Sequence, residues 1–182
     1  IGTNPSYETG TLRYEYTSLT TPRSVYEVDM KTRELELMKQ DEILGGFNGD
    51  DYVSERVMAT ATDGTQVPIS LVYRKDLDRS RPQPVYQYGY GSYGSTMDPF
   101  FWSSKVSLLD RGFCLAIAHV RGSKIYDEAW YEDGKMLNKK NTFSDFIAAA
   151  DALLAEGFTS HGRIVAEGGS AGGMLMGAVA NM

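Results

Sequence analysis

The chain has 182 residues, 42% of them hydrophobic and 23% charged, and a formal net charge of −6 at pH 7. This composition is ordinary for a globular protein with a buried core. The acidic balance and the lack of Lys/Arg runs argue against nucleic acid or an anionic membrane as a partner, and no segment approaches the roughly 20 apolar residues of a membrane-spanning helix.

Residues 1–40 predict a β-meander. In LRYEYTSL, apolar Leu12, Tyr14 and Tyr16 alternate with polar residues, and SVYEVDM and ELELMKQ follow as further strand-like segments. Two or three strands are too few for an independent domain, so we expect them to belong to a larger sheet. The Gly- and Asp-rich stretch DEILGGFNGDD then predicts a domain boundary.

A β-hairpin is predicted next, from YVSERVMATA and QVPISLVYR. Asp63-Gly64 between them would supply the positive φ angles of a two-residue turn. The second strand places four apolar residues on one face: Val67, Ile69, Leu71 and Tyr73.

Beyond the hairpin, buried strands alternate with helices. PVYQYG, FCLAIAHV and RIVAE predict strands, whereas SSKVSLLDRG and GMLMGAVANM predict helices. TFSDFIAAADALLAEG predicts a longer amphipathic helix, which Thr142 and Asp145 would begin as a capping box and Gly157 would end. The pattern predicts an α/β domain whose sheet is mostly parallel after its first strands.

The single cysteine, Cys114, lies in an apolar strand and predicts a buried thiol and a cytoplasmic location.

Two glycine motifs could each form a site. Gly89 to Gly94 matches G-x-G-x-x-G after a strand, but the following residues include Met97-Asp98-Pro99 instead of a helix start, and the next strand ends without an acidic residue for a ribose. We therefore expect no nucleotide site there.

The second motif, Gly168 to Gly173, contains G-x-S-x-G between a predicted strand and a predicted helix. Small residues around Ser170 are what a strained turn needs if it is to expose a nucleophilic hydroxyl, and the amide of Ala171 would face a developing oxyanion. The alternative is a glycine-rich loop with an incidental serine, which the strand-turn-helix context disfavours. Ser170 is thus the predicted nucleophile.

A serine nucleophile needs a histidine base and an acid to orient it. His119 follows a strand at the edge where α/β sites assemble, whereas His161 precedes the nucleophile strand and should lie at the opposite end. In enzymes whose nucleophilic serine lies on such a strand-to-helix turn, called a nucleophile elbow, the catalytic residues follow one another along the chain in the order Ser, acid, His. We therefore expect a polar structural role for His119, and the catalytic acid and histidine beyond Met182.

Six stretches carry a wider resemblance: LRYEYTSLTTPRSVYEVDM, DGTQVPISLVYRK, VYQYGYGSYG, HVRG, WYEDGKMLNKKNTFSDF and EGGSAGGMLMG. Together they resemble the prolyl oligopeptidase family of serine peptidases, in particular its branch that cleaves after basic residues. The resemblance covers nearly the whole chain, and its motifs are far more specific than G-x-S-x-G.

The resemblance implies that residues 1–40 end a β-propeller and that residues 41–182 begin an α/β-hydrolase domain, truncated after the nucleophile elbow. It implies that Ser170 is the nucleophile and that Tyr90 lends its hydroxyl to an oxyanion hole beside the Ala171 amide; from the residues alone, Tyr90 reads as a packed aromatic. The implied activity is cleavage of short peptides after Arg or Lys without cofactor or metal, with the acidic specificity residues after Met182.

One loop, residues 123–127, departs from the glycine-rich family pattern. Asp127 or Glu128 could replace the acidic group that is usual there, but we expect both to be solvated loop charges. We expect the same of the charged residues at 132–133 and 139–140.

Two alternatives to the peptidase remain. An esterase on the same fold would be favoured by an HGGG-type motif, which the sequence lacks. A catalytically incompetent chain is the other, because loss of a triad member costs about a millionfold in kcat.

Overall fold

The computed structural model describes residues 4–182, so residues 1–3 of the predicted first domain lie outside it. Its N-terminal part is an antiparallel sheet of order β1-β2-β3. The strands are β1 (Thr11–Ser18), β2 (Thr21–Asp29) and β3 (Leu35–Gln40). The predicted meander is confirmed, and β3 is solvent-exposed along its whole length.

A second sheet has five strands in the order β4-β5-β7-β6-β8. They are β4 (Tyr52–Thr60), β5 (Gln66–Arg74), β6 (Val85–Tyr88), β7 (Cys114–Ala118) and β8 (Ile164–Glu167). β4, β5 and β7 pair antiparallel, whereas β6 lies parallel to both β7 and β8. The predicted α/β fold with a mostly parallel second part is therefore confirmed.

Four α-helices accompany this sheet in the described chain. They are α1 (Val106–Leu109), α2 (Glu128–Glu132), α3 (Lys139–Ala155) and α4 (Ala171–Val179). α3 buries Phe146, Ala149 and Leu153 in the main core, where they pack with Val67 and Ile69 of β5 and with Leu175 of α4. Burial of each large aliphatic side chain contributes roughly 1.5–3 kcal/mol, so this face of the sheet holds α3 and α4 in fixed positions.

The predicted hairpin forms, but its turn differs from the expectation. Ala61 and Thr65 close it through an N–H···O bond of 2.8 Å, which leaves a three-residue loop, and Gly64 alone among the described turn residues has a positive φ, +86°. The Asp63 carboxylate accepts the Thr65 amide at 3.0 Å. Asp63 therefore stabilises the turn through its side chain instead of by a left-handed backbone.

The predicted capping box is wrong. α3 begins at Lys139, three residues before Thr142, and Asn138 precedes it without a side-chain cap. Thr142 instead donates its hydroxyl to the carbonyl oxygen of Arg121 at 2.8 Å, and the Asp145 carboxylate accepts hydrogen bonds from the Arg121 side chain. These buried tertiary partners replace the local capping that the spacing suggested.

Candidate active site

Ser170 lies on a sharp turn between β8 and α4. Its backbone has φ +54° and ψ −116°, a strained conformation for a residue with a side chain, and the residue is solvent-exposed. Such strain costs on the order of 1–3 kcal/mol and clusters at functional sites. The turn closes through hydrogen bonds from Gly172 to the carbonyl of Gly169 (2.7 Å) and from Gly173 to that of Ser170 (2.9 Å). The predicted strand-turn-helix setting of Ser170 is present.

Glycines let this turn pack against the loop that follows β6. A Cβ atom on Gly168 would lie 2.6 Å from the Gly172 carbonyl oxygen and 2.8 Å from that of Gly89. A Cβ atom on Gly172 would also lie 2.8 Å from the Gly89 oxygen. All three distances are too short for real Cβ atoms, so only glycine permits this close backbone approach.

The amide of Ala171 is positioned to bind an anion. Ala171 is the first residue of α4, and the first amides of a helix have no acceptor within the helix. The partial positive charge of the helix N-terminus also favours a negative group there. This is the arrangement expected of one oxyanion-hole donor, although the role of Ala171 stays a prediction.

Tyr90 reaches the same edge of the sheet from the neighbouring strand. β6 and β8 are paired up to Tyr88 and Glu167, and the Gly89 amide donates to the Glu167 carbonyl at 3.1 Å. Tyr90 follows directly, is half-buried, and its Cδ2 lies 3.6 Å from the Cβ position of Gly172. Among residues 4–182, no group forms a hydrogen bond with its hydroxyl. The structure thus brings Tyr90, Ser170 and Ala171 together; their catalytic roles stay predictions.

The loop carrying Tyr90 is packed tightly from behind. A Cβ atom on Gly91, whose φ is +66°, would lie 2.3 Å from Cγ2 of Thr142 and 2.6 Å from Cγ2 of Val120. A Cβ atom on Gly122 would lie 2.1 Å from the Gly91 carbonyl oxygen. The residues after Gly94 stay non-helical up to Ser103. This confirms that the first glycine motif does not open a helix as a dinucleotide-binding turn would.

Lys139 completes the support of this loop, a role that its sequence setting does not predict. Its ammonium group donates to the carbonyl oxygen of Gly91, to the hydroxyl of Ser92 at 2.9 Å and to that of Thr142 at 3.3 Å. Burial lowers its pKa below the ordinary lysine value. The expectation of a solvated charge is therefore wrong for Lys139, whereas Lys140 is exposed. The one sequence signal was that Lys139 belongs to WYEDGKMLNKKNTFSDF.

Neither histidine is placed to serve Ser170. His119 is buried, its Nε2 lies 2.8 Å from the Ser70 hydroxyl on β5, and its carbonyl oxygen accepts the Trp130 indole N–H at 3.2 Å. Burial, aided by the charge of Arg56, lowers the pKa of His119 to about 4, so the ring is neutral at physiological pH. β5 lies on the side of β7 away from β8. His161 is exposed and precedes β8, at the end opposite Ser170, as predicted.

A buried ion pair fixes the loop after β7. Arg121 donates to both carboxylate oxygens of Asp145, which is fully buried, and to Asp63 in the hairpin turn at 2.6 Å. The Arg121 guanidinium holds the pKa of Asp63 down to about 2. Because Arg121 precedes Gly122, this pair also fixes the backbone that contacts Gly91.

The loop that departs from the family pattern forms local contacts. Asp127 caps α2 by accepting the Trp130 amide at 2.9 Å, and Lys124 pairs with Glu128 at 2.6 Å on the surface. Ser123 bridges to Gly94, whose amide donates to the Gly122 carbonyl at 3.0 Å. Asp127 is therefore a helix cap, whereas the sequence predicted a solvated loop charge.

A cavity of about 400 Å³ opens beside the start of α4. It is lined in part by Ser92, Tyr93, Tyr131, Lys139, Ala171 and Met174.

Among residues 4–182, no cluster of three His, Cys, Asp or Glu side chains could hold a metal ion. Within the same range, no helix is long and apolar enough to cross a membrane.

Comparison with known proteins matches both parts of the chain to domains of the same protein family. Residues 100–182 match the sequence profile of the prolyl oligopeptidase family, and residues 1–41 match that of the prolyl oligopeptidase N-terminal β-propeller domain. A dipeptidyl aminopeptidase BI from Pseudoxanthomonas mexicana is 52% identical over 183 residues, which is 100% of this chain and 25% of that protein.

Solved structures agree with this likeness. Oligopeptidase B from Leishmania major has a TM-score of 0.89 at 50% identity, over 97% of this chain and 24% of that one. Oligopeptidase B from Trypanosoma brucei, with covalently bound antipain, has a TM-score of 0.90 at 47% identity, over 97% and 25%. The chain thus spans about a quarter of the length of the relatives it matches.

Proposed function

Because the chain belongs to the prolyl oligopeptidase family, we propose that it supplies the nucleophile and the oxyanion hole of a serine oligopeptidase. Ser170 is the nucleophile, and the Ala171 amide and the Tyr90 hydroxyl bind the oxyanion. The observation that carries the proposal is the strained backbone of Ser170 at φ +54°, exposed at the start of α4.

In the proposed reaction, Ser170 Oγ bonds to the carbonyl carbon of the scissile peptide while its proton passes to a histidine. The carbonyl oxygen becomes an oxyanion, which accepts hydrogen bonds from Ala171 and Tyr90. Collapse breaks the C–N bond, and the amine leaves with the proton from the histidine. Water then hydrolyses the acyl-enzyme by the same proton transfers in reverse order.

The histidine and its orienting acid are proposed to lie beyond Met182, in the order usual for this elbow. The positions of His119 and His161 support this, because the first is bonded to Ser70 and the second lies at the opposite end of β8. We accordingly expect residues 1–182 alone to have negligible turnover. We propose that the reaction uses no cofactor and that the protein is cytoplasmic.

The proposed substrates are short peptides cleaved after Arg or Lys. The likeness to two structures named oligopeptidase B supports this preference, and the match of residues 1–41 to a propeller domain supports a restriction to short peptides. A second specificity, removal of N-terminal dipeptides, is favoured by the 52% identity to a dipeptidyl aminopeptidase.

A substrate panel on the full-length protein tests the proposal. It compares N-blocked peptides with Arg, Lys, Pro or Ala before the scissile bond, the same peptides with a free amino-terminal dipeptide, and a small Arg ester. We expect cleavage of blocked Arg and Lys peptides that Ser170→Ala abolishes. Cleavage confined to free amino-terminal dipeptides would support the second specificity, and ester hydrolysis without amide hydrolysis would refute the peptidase.

A further inference from the structure

Lys139 is a half-buried cation directed at the loop that carries Tyr90. Two of its three hydrogen bonds go to the two residues that follow Tyr90, to the carbonyl of Gly91 and to the hydroxyl of Ser92. The third goes to Thr142, one turn along α3. Lys139 therefore connects the rigid helix α3 to the backbone just after Tyr90.

The surroundings of Lys139 are unusual for a lysine. Within the described part of the chain no carboxylate pairs with it, and its three acceptors are all neutral oxygens. A half-buried ammonium group loses part of its hydration, and hydrogen bonds to neutral oxygens compensate only in part. Burial lowers its pKa accordingly. A lysine that served stability alone would gain more from a carboxylate partner or from solvent.

The loop needs such an anchor, because its backbone is built from glycines. Gly89 and Gly91 flank Tyr90, and glycine loses more conformational freedom on ordering than any other residue. The Gly89 amide is fixed by Glu167 of β8, upstream of Tyr90. On the downstream side, Lys139 binds the Gly91 carbonyl, and Val120 and Thr142 lie so close to Gly91 that they leave no room for a side chain there. Lys139 is therefore the first polar anchor downstream of Tyr90, ahead of the hydrogen bond between Gly94 and Gly122.

From this geometry we propose that Lys139 is a positioning residue for the oxyanion hole: its ammonium group fixes Gly91 and Ser92, so that the Tyr90 hydroxyl is held where the oxyanion forms. The inference rests on the proposed function of Tyr90. Lys139 does not touch the reacting atoms, and it acts through the loop. Since a misplacement of about 1 Å can cost about 100-fold in rate, its loss should lower kcat about 10- to 100-fold.

The test is a double-mutant cycle on the full-length protein. Lys139→Met should lower kcat with little change in KM, and Lys139→Arg should recover part of the loss because it keeps a charged donor. In the Tyr90→Phe background, Lys139→Met should have little further effect on kcat, because the donor it positions is absent. Lys140→Met is the matched control, since Lys140 is exposed on the same helix, and it should leave kcat unchanged.

Ser92→Ala provides a second route if Lys139→Met folds poorly. It removes one acceptor of Lys139 and keeps the lysine, so it should lower kcat in the same sense but less, again only when Tyr90 is present. An equal loss of kcat from Lys139→Met with and without Tyr90 would overturn the inference, as would unchanged kcat. If Ser170→Ala retains activity, the proposed function falls too; if Ser170→Ala abolishes activity and the cycle is additive, only this inference falls.

Discussion

Tyr90 and Gly172 approach each other so closely at the edge of the second sheet that a side chain on Gly172 would touch Tyr90. A Cβ atom on Gly172 would lie 3.6 Å from both Cα and Cδ2 of Tyr90, and 2.8 Å from the carbonyl oxygen of Gly89. The helix that begins after Ser170 and the loop that carries Tyr90 can therefore lie this close together only because Gly172 has no side chain. The relative position of the proposed nucleophile and oxyanion donor depends on this close approach.

Gly172→Ala should separate these two elements. The new methyl group cannot stay 2.8 Å from the Gly89 oxygen, so either the loop or the start of α4 must move. A shift of this kind should lower kcat by about 100-fold. Gly177→Ala on the same helix is the control, because nothing lies within 4 Å of its Cβ position. That variant should keep kcat, and an equal kcat for both variants would show that the contact does not matter.

Tyr90→Phe should lower kcat about 100- to 1,000-fold, the usual cost of removing one oxyanion donor. The fold should be unaffected, since within residues 4–182 the hydroxyl forms no hydrogen bond that the variant would lose. Steady-state kinetics with thermal unfolding separates the two effects. A normal kcat would leave Tyr90 as the packed aromatic that its sequence setting alone suggests.

His119 should make stability depend on pH between about 6.5 and 4. Above pH 6.5 the ring is neutral in both the folded and the unfolded chain, so it contributes no pH dependence. Because its pKa in the folded protein is lowered to about 4, the unfolded chain alone binds a proton as the pH falls through this window. The free energy of unfolding should therefore decrease by about 3 kcal/mol toward pH 4.

His119→Gln should remove this part of the acid sensitivity, whereas the exposed His161→Gln should not. Urea unfolding of both variants at pH 7 and pH 5 measures the difference. His119→Gln should also retain Ser170-dependent turnover at neutral pH, far from the roughly millionfold loss that removal of a catalytic base causes. A loss of that size would make His119 the base after all.

Asp145→Asn should destabilise the protein by about 3–5 kcal/mol, because it removes the buried carboxylate that compensates the Arg121 cation and leaves only the partly exposed carboxylate of Asp63. The Arg121 and Asp145 side chains are 5% and 0% exposed. Asp63→Asn is the matched control, since Asp63 binds the same guanidinium but is 45% exposed. It should cost less than about 1 kcal/mol. Equal shifts of the urea midpoint in both variants would contradict this account of the pair.

Much of the fold follows from periodicity in the sequence. Alternation in residues 12–16 predicted the first strand, and the face shared by Val67, Ile69 and Leu71 predicted the side of β5 that packs in the main core. Phe146 and Leu153 likewise marked the buried stripe of α3. Such patterns are local. A strand or helix needs apolar residues along its buried face whichever element packs against it, so the pattern can be recognised within the segment itself.

Two of the errors concern residues whose partners are distant in sequence. Thr142 and Asp145 have the spacing of a capping box, yet their partners lie on the loop after β7, 21 and 24 residues away. Lys139 resembles any surface lysine, yet two of its three acceptors are 47 and 48 residues upstream. No local pattern encodes such contacts. The Ser170 site was predictable because strand, turn and helix are contiguous, whereas the role of Tyr90 needed the family resemblance. The domain boundary near residue 41 stays a prediction.

The most direct test of the central claim is to locate the covalent adduct of a serine-directed phosphonofluoridate on the full-length protein. Peptide mass spectrometry should place a single stoichiometric adduct on Ser170, in parallel with loss of peptidase activity. Ser170→Ala should be neither labelled nor active, because an activated serine alone reacts at low reagent concentration. Stoichiometric labelling of a different serine together with loss of activity, or full activity in Ser170→Ala, would contradict the assignment of Ser170 as the nucleophile.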